Sequence, residues 1–164
     1  AQLSKGASIF LHPVNKSEFY GVAKIDKKNK IIGIKEKPKK FYSNYAVTGL
    51  YYFDKKVIEY SKKLKPSKRK ELEIVDLLNI YKKKNRLKAD FIGRGGAWLD
   101  TGTLDDFYKT SAFVEVIENR QGLKIACIEE IAFRNRWINS KNIKNAIKFY
   151  GNCKYSEYLK KLIS

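Results

Sequence analysis

Histidine occurs once in this chain, at His12, and cysteine twice, at Cys127 and Cys153. Zinc frameworks built from clustered Cys and His therefore have no residues to draw on. With neither CxxC spacing nor a neighbouring His, the two cysteines read as reduced, partly buried thiols rather than a disulfide or a metal clamp. No apolar run approaches the roughly 20 residues of a membrane-spanning helix. The first residues also lack the charged, then apolar, then small pattern of a secretory signal. The expected compartment is cytoplasmic, with no membrane partner. Methionine is absent altogether, which fits a piece of a longer polypeptide.

Acidic residues are also scarce, 17 against 35 Lys and Arg, for a net charge of +18. Such an excess ordinarily points to nucleic acid. Here it is almost all Lys, scattered through pairs and triplets such as 27–28, 39–40, 62–63 and 82–84 in expected turns and helix ends, and only six Arg are present. That pattern coats a solvated face. Adhesion to polyanions at low salt is expected, specific nucleic-acid recognition is not.

What is present is enough for a core: 43% hydrophobic and 13% aromatic residues over 164 positions. No repeat, low-complexity linker or sharp change of composition divides the chain, so it reads as one structural unit. A β-rich run covers 7–14, and 20–26 pairs with 31–36 across the polar turn 27–30 as a hairpin. A longer β-branched and aromatic strand follows at 45–53. Asp54 caps a short helix to about Leu64, ended by Pro66. Ile74, Val75, Leu77, Leu78 and Tyr81 fall on one face of a helix over 72–84. Another strand is expected at 87–92. Thr103 with Asp106 three residues on starts a helix to about Asn119, stopped by Gly122. Three short helices complete the chain near 128–134, 141–149 and 156–163. Strands alternating with helices, then a helical tail, predict an α/β fold with a mixed sheet.

Several short motifs can carry chemistry. Gly93 to Thr103 places Asp100 between glycine turns and beside Trp98, at the mouth of a strand. Such a carboxylate suits magnesium, which takes one or two carboxylates plus phosphate oxygens, or it caps the turn into the next helix. Arg69 lies just ahead of a helix whose free N–H groups favour anions, and its planar guanidinium can hold two phosphate oxygens at once. The bland reading is an exposed Arg among many Lys. Tyr20-Gly21 and Glu36-Lys37-Pro38 are weak signals alone, a bulge and a surface pair before a turn. Glu130 and Arg134, four apart, are simply a helical ion pair.

Taken together, Tyr20-Gly21-Val22, Glu36-Lys37-Pro38, residues 44–54, Arg69 to Ile74 and the Trp98-Leu99-Asp100-Thr101-Gly102-Thr103 run closely resemble the C-terminal part of bacterial glucose-1-phosphate thymidylyltransferases, within the sugar nucleotidyltransferases. The resemblance covers nearly the whole chain. It implies the C-terminal half of a Rossmann-like nucleotidyltransferase fold, with 1–119 the sugar-phosphate and metal-binding part and 120–164 a helical tail that forms an effector or oligomer surface. It implies glucose 1-phosphate and dTTP as substrates, dTDP-glucose and pyrophosphate as products, and magnesium as cofactor. Asp100 then binds the metal and Arg69 the sugar phosphate, the two catalytic positions. Gly21 allows close approach of the sugar, Glu36 accepts from its hydroxyls and Lys37 donates to its phosphate, while Tyr20, Val47, Tyr51 and Trp98 wall the pocket. Arg94, Glu130, Ile131 and Arg134 are the implied contributors to a second nucleotide site, and the family's tetramers imply a homo-oligomer.

The resemblance omits the family's first strand, its phosphate-cradling glycine-rich loop and an upstream Asp-Asn pair that supplies the second metal carboxylate. The expectation is a sugar-side portion that is inactive by itself. A non-catalytic module that binds sugar phosphates or lends a regulatory surface is the rival.

Overall fold

The computed structural model describes residues 5–164. Among them are five strands and six α-helices, an α/β arrangement around one mixed sheet. The chain divides into two compact units, one ending at Trp98 and the other running from Leu99 to Ser164. This break falls ahead of the long helix, so the chain that reads from its composition as one structural unit forms two.

The first unit holds the sheet, ordered β3-β2-β4-β1-β5. Its strands are β1 (Ala7–Pro13), β2 (Val22–Ile25), β3 (Ile31–Lys35), β4 (Tyr45–Phe53) and β5 (Leu87–Phe91). β2 and β3 form the expected antiparallel hairpin, and β4 pairs antiparallel with both β2 and β1. β5 runs parallel to β1, joined from Ala7 opposite Leu87 to Leu11 opposite Phe91. α1 (Val57–Ser61) and α2 (Ile74–Lys83) form the crossover that carries the chain from β4 past β1 to β5. The helical face read from the sequence is the one α2 buries: Val75, Leu77, Leu78 and Tyr81. Val75 and Leu78 close over Ile9, Leu11, Ala23, Ile31, Ile34 and Val47, while Leu77 and Tyr81 join Ala7 and Tyr60 in a second cluster.

Element ends shift by a few residues from the sequence reading, and two differences bear on the packing. α2 begins at Ile74 because Glu73 is extended, and Leu72 stays exposed. Asp54 is not the helix cap of α1; it is buried and accepts from the Gly6 N–H at 2.7 Å, the Lys56 N–H at 3.0 Å and the Tyr81 hydroxyl at 2.8 Å.

The second unit is helical: α3 (Leu104–Gln121), α4 (Ile128–Arg134), α5 (Ser140–Tyr150) and α6 (Lys154–Lys161). α3 opens on the Thr103 hydroxyl, which accepts from the Asp106 N–H at 3.1 Å, and closes on Gly122 in the left-handed conformation (φ 66°). Asn139 and Asn142 form a reciprocal cap at the start of α5. Cys127, Ile143, Tyr158 and Leu159 make the core of this unit. Both cysteines are free, Cys127 buried but Cys153 exposed at the start of α6, where the sequence reading had both partly buried. Among the described residues no helix is long and apolar enough to cross a membrane.

Candidate functional site

The β2–β3 hairpin draws together two motifs far apart in sequence. The Lys37 N–H donates to the Tyr20 carbonyl at 3.1 Å, and the Val47 N–H donates to the Gly21 carbonyl at 2.8 Å. Gly21 and Glu36 consequently meet. A Cβ at Gly21 would lie 2.9 Å from Glu36 Oε2 and 3.3 Å from Val75 Cγ2, so any other residue here would push Glu36 out of place. Lys37 is held at φ 36°, an unfavourable left-handed conformation for a non-glycine residue just ahead of Pro38.

A tight loop brings Arg69 to the same place. The Lys70 N–H closes a turn on the Ser67 carbonyl at 2.9 Å, the Ser67 N–H bonds the Glu71 carbonyl at 2.8 Å, and the Arg69 N–H reaches the Ser67 hydroxyl oxygen at 3.1 Å. Lys70 absorbs the reversal at φ 62°. Glu36, Lys37, Ser67, Arg69, Glu73 and Val75 then line an open cleft of about 440 Å³ beside the start of α2. The guanidinium faces three carboxylates: Nη2 is 2.6 Å from Glu71, Nη1 is 3.6 Å from Glu36 and Nε is 3.8 Å from Glu73. Burial, reinforced by the charge of Glu73, pushes the Glu36 carboxyl above its ordinary range, against the opposing pull of Lys37 and Arg69. Burial and the charge of Glu36 push the Tyr51 hydroxyl up in turn.

Of the expected sugar-side residues, the cleft gathers Glu36, Lys37 and Arg69, with Gly21 against Glu36. Val47 is buried in the core, and Tyr51 packs against that core with its ring stacked on Phe53. Trp98 is fixed by its indole N–H donating to the Thr48 carbonyl at 3.1 Å, and its ring meets Tyr20 edge-on at 5.1 Å and His12 at 5.9 Å. Sequence reasoning missed Ser67, Glu71 and Glu73. The Arg-x-Glu-x-Glu alternation from 69 to 73 was the available signal, and the reversal at Lys70 is what turns its carboxylates onto one guanidinium. Arg94 sits exposed in the glycine turn closed by the Gly96 N–H on the Gly93 carbonyl.

In the second unit, Asp100 is exposed, and its carboxylate curls toward Gly102, where a Cβ would lie 3.3 Å from Oδ2. The cap of α3 is Thr103. Among the described residues Asp100 makes no hydrogen bond and no group of three His, Cys, Asp or Glu could hold a metal, so Asp100 offers a single carboxylate of the kind magnesium accepts alongside phosphate and water oxygens. Glu130 takes Arg134 Nε at 2.7 Å and also accepts from the Tyr158 hydroxyl, tying α4 to α6; Ile131 is exposed. Glu129 beside it accepts from Tyr150 and Tyr155.

Comparison with known proteins follows the same lines. A glucose-1-phosphate thymidylyltransferase from Neisseria meningitidis is 39% identical over 163 residues, 99% of this chain and 57% of the relative. One from Xanthomonas campestris is 46% identical over 155 residues, 94% of this chain and 52% of the relative. The chain thus spans about half the length of these curated relatives. Among solved structures, a Bacillus anthracis protein described as a glucose-1-phosphate thymidylyltransferase in complex with sucrose matches with a TM-score of 0.59 and 45% identity, covering 66% of this chain and 43% of that one. A UDP-glucose pyrophosphorylase complexed with UDP-glucose matches with a TM-score of 0.58 and 26% identity, covering 65% and 43%. The family model described as nucleotidyl transferase matches residues 1–116, and the chain belongs to that family.

Proposed function

We propose that this chain is the sugar-phosphate and metal-carboxylate portion of a glucose-1-phosphate thymidylyltransferase, joining glucose 1-phosphate to the α-phosphate of dTTP and releasing pyrophosphate. The observation that carries the reading is the Arg69 cleft, where a guanidinium fork, Lys37 and a half-buried Glu36 packed against Gly21 share one opening. Arg69 and Lys37 neutralise the sugar phosphate, and Glu36 accepts hydrogen bonds from sugar hydroxyls. The phosphate oxygen attacks the α-phosphorus in line. These residues act by positioning the attacking oxygen and offsetting charge rather than by covalent chemistry. Magnesium, when bound, offsets charge on the triphosphate. Asp100 would contribute one carboxylate to it. In the same reading Tyr20, Val47, Tyr51 and Trp98 support the sugar pocket, the protein acts in the cytoplasm, and copies assemble as in the family's tetramers.

The test is pyrophosphate release from dTTP, glucose 1-phosphate and magnesium. This chain alone should give none, because no segment offers a glycine-rich triphosphate loop, and co-expression with the N-terminal half of a relative should restore turnover. Turnover by the chain alone would overturn the division of labour. Glucose 1-phosphate binding with no turnover in the complemented pair would favour the non-catalytic module. Effector roles are proposed separately for Arg94 in the first unit and for Glu130, Ile131 and Arg134 in the second. Arg94→Ala and Arg134→Ala should each lessen inhibition by a deoxythymidine nucleotide and spare turnover; a parallel loss of both would remove them from that role.

A further inference from the structure

Arg69 carries five N–H donors in one plane, and a phosphate group needs a free two-donor edge of that fork. Here one donor is taken by a hydrogen bond, Nη2, while Nη1 and Nε face carboxylates at ion-pair distance, beyond hydrogen-bond reach. Glu71 takes Nη2 at 2.6 Å, Glu36 faces Nη1 and Glu73 faces Nε. The three carboxylates are not equivalent. Glu73 is largely buried and already accepts from the Ser67 hydroxyl at 2.8 Å, so it is part of the loop's frame. Glu36 is half-buried against Gly21. Glu71 is the most exposed of the three at 58%, sits on the loop ahead of α2, and its side chain has Arg69 as its one hydrogen-bond partner among the described residues. It makes the shortest of the three contacts and has the least holding it in place.

We propose that Glu71 is a self-competing positioning residue: its carboxylate holds Nη2, the nitrogen that both two-donor edges of the fork share, and it swings to solvent when the ester binds. The inference rests on the reading of Arg69 as the phosphate ligand. Two consequences follow from the geometry. Arg69 is kept pointing into the cleft by charge-matched partners before any ester arrives. Binding strength is also set below what Arg69 and Lys37 could provide, because the incoming phosphate must displace one carboxylate and tolerate the charge of two more. Glu71 thus acts on affinity through Arg69 and touches no reacting atom.

The experiment is calorimetric titration of the chain with glucose 1-phosphate and, separately, inorganic phosphate, for the unaltered protein, Glu71→Gln, Glu71→Ala, Arg69→Ala and the Arg69→Ala/Glu71→Gln pair. Release of an exposed ion pair is worth about a twofold to fivefold change in affinity. Glu71→Gln and Glu71→Ala should therefore tighten both ligands by that factor, Arg69→Ala should weaken them, and the Glu71→Gln gain should vanish in the pair. A purely structural role for Glu71 would weaken binding in either background. If Arg69→Ala weakens binding while both Glu71 variants leave it unchanged or weaker, the self-competition is overturned and the reading of Arg69 stands. If Arg69→Ala binds like the unaltered protein, or if no form binds either ligand, the reading of Arg69 falls and the inference with it.

Discussion

At the scale of single residues, the proposed site depends on which cation would hold the phosphate. Arg69 offers a planar fork and Lys37 a point charge, so the two are not interchangeable. Arg69→Ala should weaken glucose 1-phosphate binding by about 1.5–3 kcal/mol, the usual worth of a hydrogen bond to a charged group. Arg69→Lys should recover part of that, because charge is kept and the fork is lost. Titration calorimetry on the chain decides, and equal affinity for all three forms would take Arg69 out of the site. The expected residues that the structure brings together share one property: Gly21, Glu36, Lys37 and Arg69 lie in short contiguous motifs whose residue types state their chemistry. Glu71 and Glu73 were not legible, because an acidic residue beside an Arg reads as a surface pair until the loop closing on Ser67 folds all of them around one guanidinium. Val47, expected on a pocket wall, is buried in the core by the register of β4.

At the scale of elements, local signals carried far. Caps at Thr103 and Gly122, the face of α2 and the hairpin of β2 with β3 could all be read because each is decided within a few residues of sequence. The order β3-β2-β4-β1-β5 could not, since the parallel pairing of β1 with β5 joins segments some eighty residues apart and is decided by packing of the crossover. Asp54 is the residue that ties this crossover down. It sits at the end of β4, binds the Gly6 N–H just before β1, and receives the hydroxyl of Tyr81 on α2. The Gly6 N–H, with the Tyr81 hydroxyl and the Lys56 N–H, holds its carboxyl below the ordinary carboxylate range despite the upward push of burial. A carboxyl lowered in the folded state stabilises above its unfolded value, near 3.9, and that contribution is lost as pH falls through the folded value. Asp54→Asn should therefore cost about 1–3 kcal/mol at neutral pH by leaving buried donors poorly matched. The variant should also lose less stability than the unaltered protein as pH falls below about 4. Urea unfolding across pH 3 to 7 measures both, and identical acid limbs for the two proteins would show that Asp54 does not carry this linkage.

At the scale of the whole molecule, the two units hold separable parts of the proposed chemistry. The Arg69 cleft belongs wholly to the unit ending at Trp98, whereas Asp100 belongs to the unit that follows. Binding and turnover should respond differently to changes in each. Asp100→Asn keeps the side chain's size and replaces a carboxylate with a neutral amide, a poor ligand for a hard cation that prefers charged oxygen. In the chain alone, glucose 1-phosphate affinity should stay within about twofold of the unaltered protein, because an exposed charge outside the cleft contributes little to it. Once complemented by the N-terminal half of a relative, the same variant should lose about 100-fold or more in pyrophosphate release, the scale of removing one electrostatic contact to charge that develops in a transition state. Raising magnesium should recover part of that loss if the amide weakens the metal rather than the fold. The outcome that would sink this assignment is a complemented Asp100→Asn protein that turns over like its parent, for then the metal is held without this carboxylate and the residue between the glycine turns serves the loop alone.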